Sequence, residues 1–150
     1  MDKETFDANV IQWGTDRGIL LPNGSTVGAQ LGKTLEEIGE LWQAIDALDG
    51  DGILDAFGDI DVTLVLAGAL CIDDTRDGTS SAPTFGTLMM SICHGRELLD
   101  AYYLRTARKC LELLSSRHGV DMNKARAHAW SQIKDRKGKM VDGVFVKEAT

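Results

Sequence analysis

The chain has 150 residues, 43% of them apolar and 26% charged, with a net charge of −7. This length suits a single domain over residues 1–150 with a sizeable core, and the composition is ordinary for a soluble globular protein. The acidic balance argues against nucleic-acid binding as the main purpose. Cys71, Cys93 and Cys110 are scattered, without C-x-x-C spacing. They read as reduced thiols in a cytoplasmic protein. No signal peptide is visible at the start. The apolar run from Val62 to Ile72 is too short to span a bilayer. It is expected as a buried helix, and no membrane partner is expected.

A first helix is expected over Lys3 to Arg17, where Phe6, Val10 and Trp13 recur at helical spacing and Gly18 marks the stop. Trp13 has two readings, a core aromatic or a wall of a nucleobase pocket. ILLPNGS follows as a loop with a Pro-Asn-Gly turn, and Ser25 or Thr26 can cap the next helix.

The stretch from Lys33 to Leu70 reads as two helices joined by an acidic turn. At about 100° per residue, Leu31, Leu35, Ile38, Trp42 and Ile45 share one face of the first. Glu37 and Glu40 lie on a stripe bordering that face, which Lys33 and Ala44 continue. Glu36 is rotated outward but can reach the same point. On the second helix Asp55 and Asp59 stack on one side, and Val62 and Leu66 extend their stripe into apolar surface. Carboxylates that are buried together need protons, cations or metal. Oxygen-only ligands suit Mg²⁺ or Mn²⁺, and the lack of histidine in the stretch argues against zinc. A solvated acidic face with a few salt bridges is the alternative. The turn DALDGDG does not make a calcium loop. Counted from Asp49, the fifth and twelfth positions fall on Ile53 and Ile60. A helix-ending turn built on Gly50 and Gly52 is expected instead.

Asp73 to Pro83 reads as a polar loop, followed by helices over Phe85 to Ile92 and Glu97 to Leu114. Leu98, Leu99, Tyr102, Ala107, Leu111 and Leu114 supply the apolar positions. Tyr102 and Tyr103 should point to different faces, one of them into a core or a subunit interface. Gly119 ends this part, and Asp121 caps a last helix over Met122 to Lys137, with Ala125, Ala129, Trp130 and Ile133 facing inward. His94, His118 and His128 share no spacing with the acids and read as surface or packed residues. Cys93 reads as a packed thiol. Lys134, Arg136, Lys137 and Lys139 form a basic cluster, and MVDGVFV around Asp142 and Gly143 signals a hairpin. Basic groups at a helix end can hold polyphosphate or simply complement the helix dipole.

The segments EEIGEL and DAFGDIDVTL together resemble the MazG-like nucleoside triphosphate pyrophosphohydrolases, which carry E-x-x-E on one helix and E-x-x-D on the next. Glu37 and Glu40 match the first motif, and Asp59 matches the final aspartate of the second. Ala56 stands where the family usually has glutamate, so Asp55 is expected as the replacement ligand. WGTDRG and KDRKGKMVDGVFVKE are similar to the compact members found in phages and bacteria, with Asp135 where relatives often have asparagine. The segment between Cys71 and Val120 is outside the match.

The resemblance implies an all-α helical bundle with a short C-terminal β-hairpin. It implies hydrolysis of a nucleoside triphosphate to the monophosphate and pyrophosphate. Glu37, Glu40, Asp55 and Asp59 would hold Mg²⁺ or Mn²⁺, and Glu36 would be a further ligand or the base that orients water. Lys33, Arg136, Lys137 and Lys139 would take up phosphate charge. Trp13 and Gln30, with Asp16 and Arg17, would lie near the base pocket. Dimers or tetramers are expected as well. The phage-like tail favours dGTP as substrate, in phage modified-purine metabolism within a host cytoplasm. A house-cleaning enzyme of broad or damaged-nucleotide specificity and a non-catalytic helical interaction module are the rivals. A di-iron protein would need E-x-x-H pairs, and none occurs with these acids.

Overall fold

Helical periodicity and a capping side chain at every start produce six helices among the described residues. They are α1 (Lys3–Asp16), α2 (Val27–Asp46), α3 (Gly50–Leu70), α4 (Phe85–Leu98), α5 (Ala101–Arg117) and α6 (Met122–Ile133). The computed structural model describes residues 1–71, 76–78 and 82–148, so the polar loop expected over Asp73 to Pro83 lies mostly outside the described residues. Asp2, Thr26, Asp49, Thr84, Asp100 and Asp121 each accept a backbone N–H from the first turn of the helix they precede. Each cap satisfies a donor that the helix itself cannot pair. The chain ends in an antiparallel hairpin of β1 (Gly138–Val141) and β2 (Val144–Lys147). Its turn residues Asp142 and Gly143 both have positive φ, 49° and 79°, which matches the twist of the flanking strands. The fold is therefore mostly helical with a small C-terminal sheet, as expected.

The axis of the bundle is α3. It is apolar nearly all round and packs against α1, α2, α5 and α6, as a central helix must. Its Phe57, Ile60 and Leu64 are fully buried. At Gly58 an added Cβ would lie 2.5 Å from the carbonyl oxygen of Ala125. Only glycine lets α6 cross this close.

Several boundaries and faces differ from the sequence reading. Leu31 and Ile38 are buried on α2 as expected, but Leu35 and Trp42 are 44% and 46% exposed. The seam runs instead through Thr34 and Leu41, because α3 is the chief partner of α2 and covers a narrow stripe. Thr34 tolerates burial because its hydroxyl pairs with Thr63 Oγ1 at 2.9 Å. The turn after α2 is built on Leu48, whose φ is 54°. Gly50 and Gly52 are not in the turn but open α3, where Asp49 accepts from Gly52 N at 3.1 Å. The helix expected from Glu97 starts at Ala101, since Leu99 takes a left-handed conformation and Asp100 caps anew. Leu98 and Leu99 are accordingly exposed. The last helix stops at Ile133 rather than Lys137. Cys93 is exposed, not packed. Tyr102 and Tyr103 do not diverge fully; their rings meet edge-on at 5.1 Å.

One buried group had no counterpart in the sequence reading. Asp61 on α3 is 0% exposed. It accepts from Arg108 Nε of α5 at 2.6 Å and from Arg126 Nε of α6 at 2.7 Å. Arg108 also grips Asp7 of α1 with both Nη atoms, at 2.8 and 2.6 Å. Arg126 Nη2 donates to Glu112 at 2.5 Å. Four helices thus meet in one network of three carboxylates and two guanidiniums. Burial raises the Asp7 carboxyl, but Arg108 beside it holds it below the usual range.

Removing the central charge strands two guanidiniums. Asp61→Asn should therefore cost about 3–5 kcal/mol, read as a lower urea midpoint with the helical circular-dichroism signal retained at zero urea.

Candidate active site

The α2–α3 hairpin sets the two acidic stripes face to face. Glu37 and Glu40 come from α2, Asp55 and Asp59 from α3. Their proximity is written in their protonation. Burial pushes the Glu37 carboxyl up to about 7, and Asp59, Glu40 and Asp55 push it the same way against Lys33. Burial, then Asp55, pushes Asp59 up to about 6, with Arg136 and His128 opposing. Contrast Asp61, two positions along the same helix, where arginines neutralise the charge. Half-buried carboxylates that repel one another and lack such partners are where a functional site is sought.

Glu37 and Asp59 stand on the wall of a pocket of about 170 Å³. Its other walls combine apolar surface from Ile19, Val62, Leu66 and Ile133 with the aromatics Trp13 and Phe145. Lys33 and Arg136 also line it. Trp13 and Phe145 meet edge-on at 5.6 Å, so the C-terminal hairpin closes one side. Trp13 is a core aromatic that also lines this pocket. It belongs to the buried cluster of Phe6, Val10 and Leu66. Gln30 lines the pocket too, with Nε2 donating to Ser25 Oγ at 2.8 Å. Glu40 and Asp55 line an adjoining groove between α2 and α3, with Asp49 at its far end.

Arg17 has a different part from the one expected. Its Nε donates to the carbonyl oxygen of Arg136 at 2.8 Å, and its Nη2 to that of Lys134 at 3.1 Å. The guanidinium also lies over the Trp13 ring at 5.2 Å. It anchors the chain after α6 so that Arg136 reaches the pocket. Asp16 accepts from Gln12 at 2.7 Å, away from the acids.

Three expected site residues stand apart. Glu36 is 61% exposed and binds Lys33 at 2.6 Å on the outer face of α2. Lys137 and Lys139 are exposed and do not line the pocket. One residue joins that the sequence reading had set aside. His128 of α6 lies 3.0 Å from Asp55, Nε2 to Oδ1. Sequence spacing could not link them; the close crossing at Gly58 does. Phe145 was likewise hidden, although the alternation in the hairpin carried its signal.

Among the described residues, no three acidic, imidazole or thiol groups converge closely enough to form a metal site as placed. The donor chemistry nevertheless fits a hard divalent cation. It comprises carboxylates from both helices, two of them with ionisation suppressed by burial and mutual repulsion, which is what a cation relieves.

These shifts have a sign. Glu37 and Asp59 hold protons more tightly when folded, so their contribution to stability is lost as pH rises through about 6 and 7. Between pH 5 and 8 the metal-free protein should become less stable, as read by thermal unfolding. Glu37→Gln should flatten that slope, and Mn²⁺ should raise the melting temperature more at pH 8 than at pH 5.

Compared with protein-family models, curated proteins and solved structures, the chain matches none of them.

Proposed function

We propose that the protein is a metal-dependent nucleoside triphosphate pyrophosphohydrolase, releasing a monophosphate and pyrophosphate. The observation that carries this reading is the unneutralised acidic pair Glu37 and Asp59 on the wall of a pocket lined by an aromatic residue and cations. An aromatic wall suits a base, and cations suit phosphates. Opposed carboxylates would suit a hard divalent cation.

In this reading Glu37, Glu40, Asp55 and Asp59 hold Mg²⁺ or Mn²⁺. The bound cation supplies charge neutralisation on the phosphates and lowers the pKa of a water. Arg136 and Lys33, both on the pocket wall, take up phosphate charge as it develops. Trp13 offers its face to the base. His128 holds the Asp55 carboxylate in place from outside, through the 3.0 Å contact. This reading gives Glu36, paired with Lys33 at 2.6 Å, no further part. The preferred substrate is dGTP, on the resemblance of the tail to compact phage proteins.

Self-association is part of the same proposal. Leu35 and Trp42 on α2 and Met90 on α4 are 44%, 46% and 60% exposed, an apolar surface that a second copy would cover. Trp42→Glu should shift the protein towards monomer in light scattering.

The chemistry is tested by incubating the protein with each common NTP and dNTP, with Mg²⁺ or Mn²⁺, and resolving products by ion exchange. Monophosphate plus pyrophosphate is expected. The products should be absent with EDTA and in Glu40→Gln, whose helical content should be unchanged. Diphosphate plus phosphate would overturn the pyrophosphohydrolase reading. A folded protein that turns over no nucleotide would favour an interaction module.

A further inference from the structure

Six residues of α2 recur at alternating spacings of four and three: Gly28, Gly32, Leu35, Gly39, Trp42 and Asp46. This is the spacing of the seam positions of a coiled coil, and it draws one stripe along the helix. None of the six lines the pocket. Leu35 and Trp42 stand 44% and 46% exposed on the stripe, with Gly32 exposed and Gly39 half-buried between them. Trp42 meets Phe85 of α4 edge-on at 5.7 Å, which holds its ring on this side.

Glycine in a helix interior is destabilising relative to alanine, so its presence calls for a reason. At Gly58 the reason lies within the protomer, in the crossing of α6. At Gly32 and Gly39 an added Cβ would meet nothing within 4 Å, so the protomer's own packing does not require them. Large exposed apolar side chains thus alternate with empty positions of matching spacing. The ends of the stripe are charged. Asp46 is the last residue of α2. Arg96 of α4 reaches the first turn, its Nε 3.6 Å from where a Cβ on Gly28 would stand. Each charge sits at the helix end whose dipole has its own sign. Among the described residues neither has an ion-pair partner.

We propose that a second copy of this chain docks on the stripe, its α2 antiparallel to the first across a two-fold axis, with Trp42 of each copy seated on Gly32 of the other and Leu35 on Gly39. The contact is self-complementary, as a two-fold interface must be. One register sets both large residues against glycines, the alternation that lets facing layers interdigitate. The same register brings Asp46 over Gly28 of the other copy, beside Arg96 and at the positive end of the facing helix. Sliding by seven residues sets Leu35 against Asp46 in one direction and carries Trp42 past the start of the helix in the other. Glu36 borders the stripe, and its 2.6 Å pair with Lys33 offsets repulsion between the copies. The inference deepens the self-association proposed above by fixing its register, and it does not depend on the hydrolytic chemistry.

The test is cysteine cross-linking in the full chain, in a Cys93→Ser background that removes the exposed native thiol. Leu35→Cys and Gly39→Cys are made as separate proteins. Mixed under oxidised glutathione, they should give a disulfide-linked dimer. Each alone should not, because like positions on the two helices stand roughly 10 Å apart, beyond the reach of a disulfide. Gly39→Leu fills the hole and should weaken association about tenfold or more in light scattering, although it adds apolar surface. Its helical circular-dichroism signal should be retained. Asp46→Arg should weaken association, and Asp46→Arg with Arg96→Asp should restore it. No cross-link in the mixture, cross-linking of either variant alone as readily as the mixture, or undiminished association of Gly39→Leu would overturn the register while leaving self-association standing. A chain that stays monomeric at its highest soluble concentration would overturn both. The nucleotide assay reads the hydrolytic proposal separately, whichever way these outcomes fall.

Discussion

Asp61 is the constraint on which the arrangement depends. A carboxylate at 0% exposure is tolerable only when paired and fully hydrogen-bonded. Arg108 and Arg126 provide this from two other helices, and Asp7 and Glu112 complete their shells. The order of the helices around α3 is thereby tied to charge as well as to apolar packing. A shift of α5 or α6 along α3 would break several charge-assisted bonds together. Apolar contacts alone would allow such a slide at smaller cost.

The same central helix carries the opposite case. Asp59 lies two positions before Asp61, and there burial, then Asp55 and Glu40, raise the carboxyl pKa against the opposing pull of Arg136 and His128. The chain places arginines against the buried Asp61 and further carboxylates beside the half-buried Asp59. A fold selected for stability alone would gain from neutralising both. The unrelieved repulsion is a local cost that a bound cation would offset, and it sits at the edge of a pocket whose opposite wall is aromatic.

Gly58 and Arg17 connect the two regions. Gly58 brings α6 against α3, which lets Arg126 reach Asp61 and His128 reach Asp55. Arg17 then holds the chain beyond α6 by two backbone carbonyls, which brings Arg136 and the hairpin to the pocket. A missing side chain on α3 and one long side chain at the C-cap of α1 thus shape a site to which neither contributes a reacting group.

Local chemistry made much of this legible in the sequence. Caps such as Thr26 and Asp121, the periodic Phe6, Val10 and Trp13, and the Asp142–Gly143 turn depend on neighbours within a few residues, so their structures follow from spacing. The facing of Glu37 and Glu40 towards Asp55 and Asp59 was readable for the same reason, because a short turn between two helices leaves one sensible pairing. What spacing could not reveal involves residues far apart in the chain. Leu35 and Trp42 satisfy the apolar period of α2 yet remain exposed, since periodicity states which residues share a face and not how much of it a neighbour covers. Asp61 reads like any other acid until α5 and α6 deliver their arginines. His128 shares no spacing with Asp55, and Arg136 becomes a pocket residue where Lys137 and Lys139 do not, through the Arg17 anchor that follows α1. The sequence by itself determined most of the helices, the caps at Thr26 and Asp121 and the acidic hairpin, because these rest on local hydrogen bonding and side-chain period. Only the tertiary structure decided which buried charges are neutralised, because burial and pairing depend on all the helices at once.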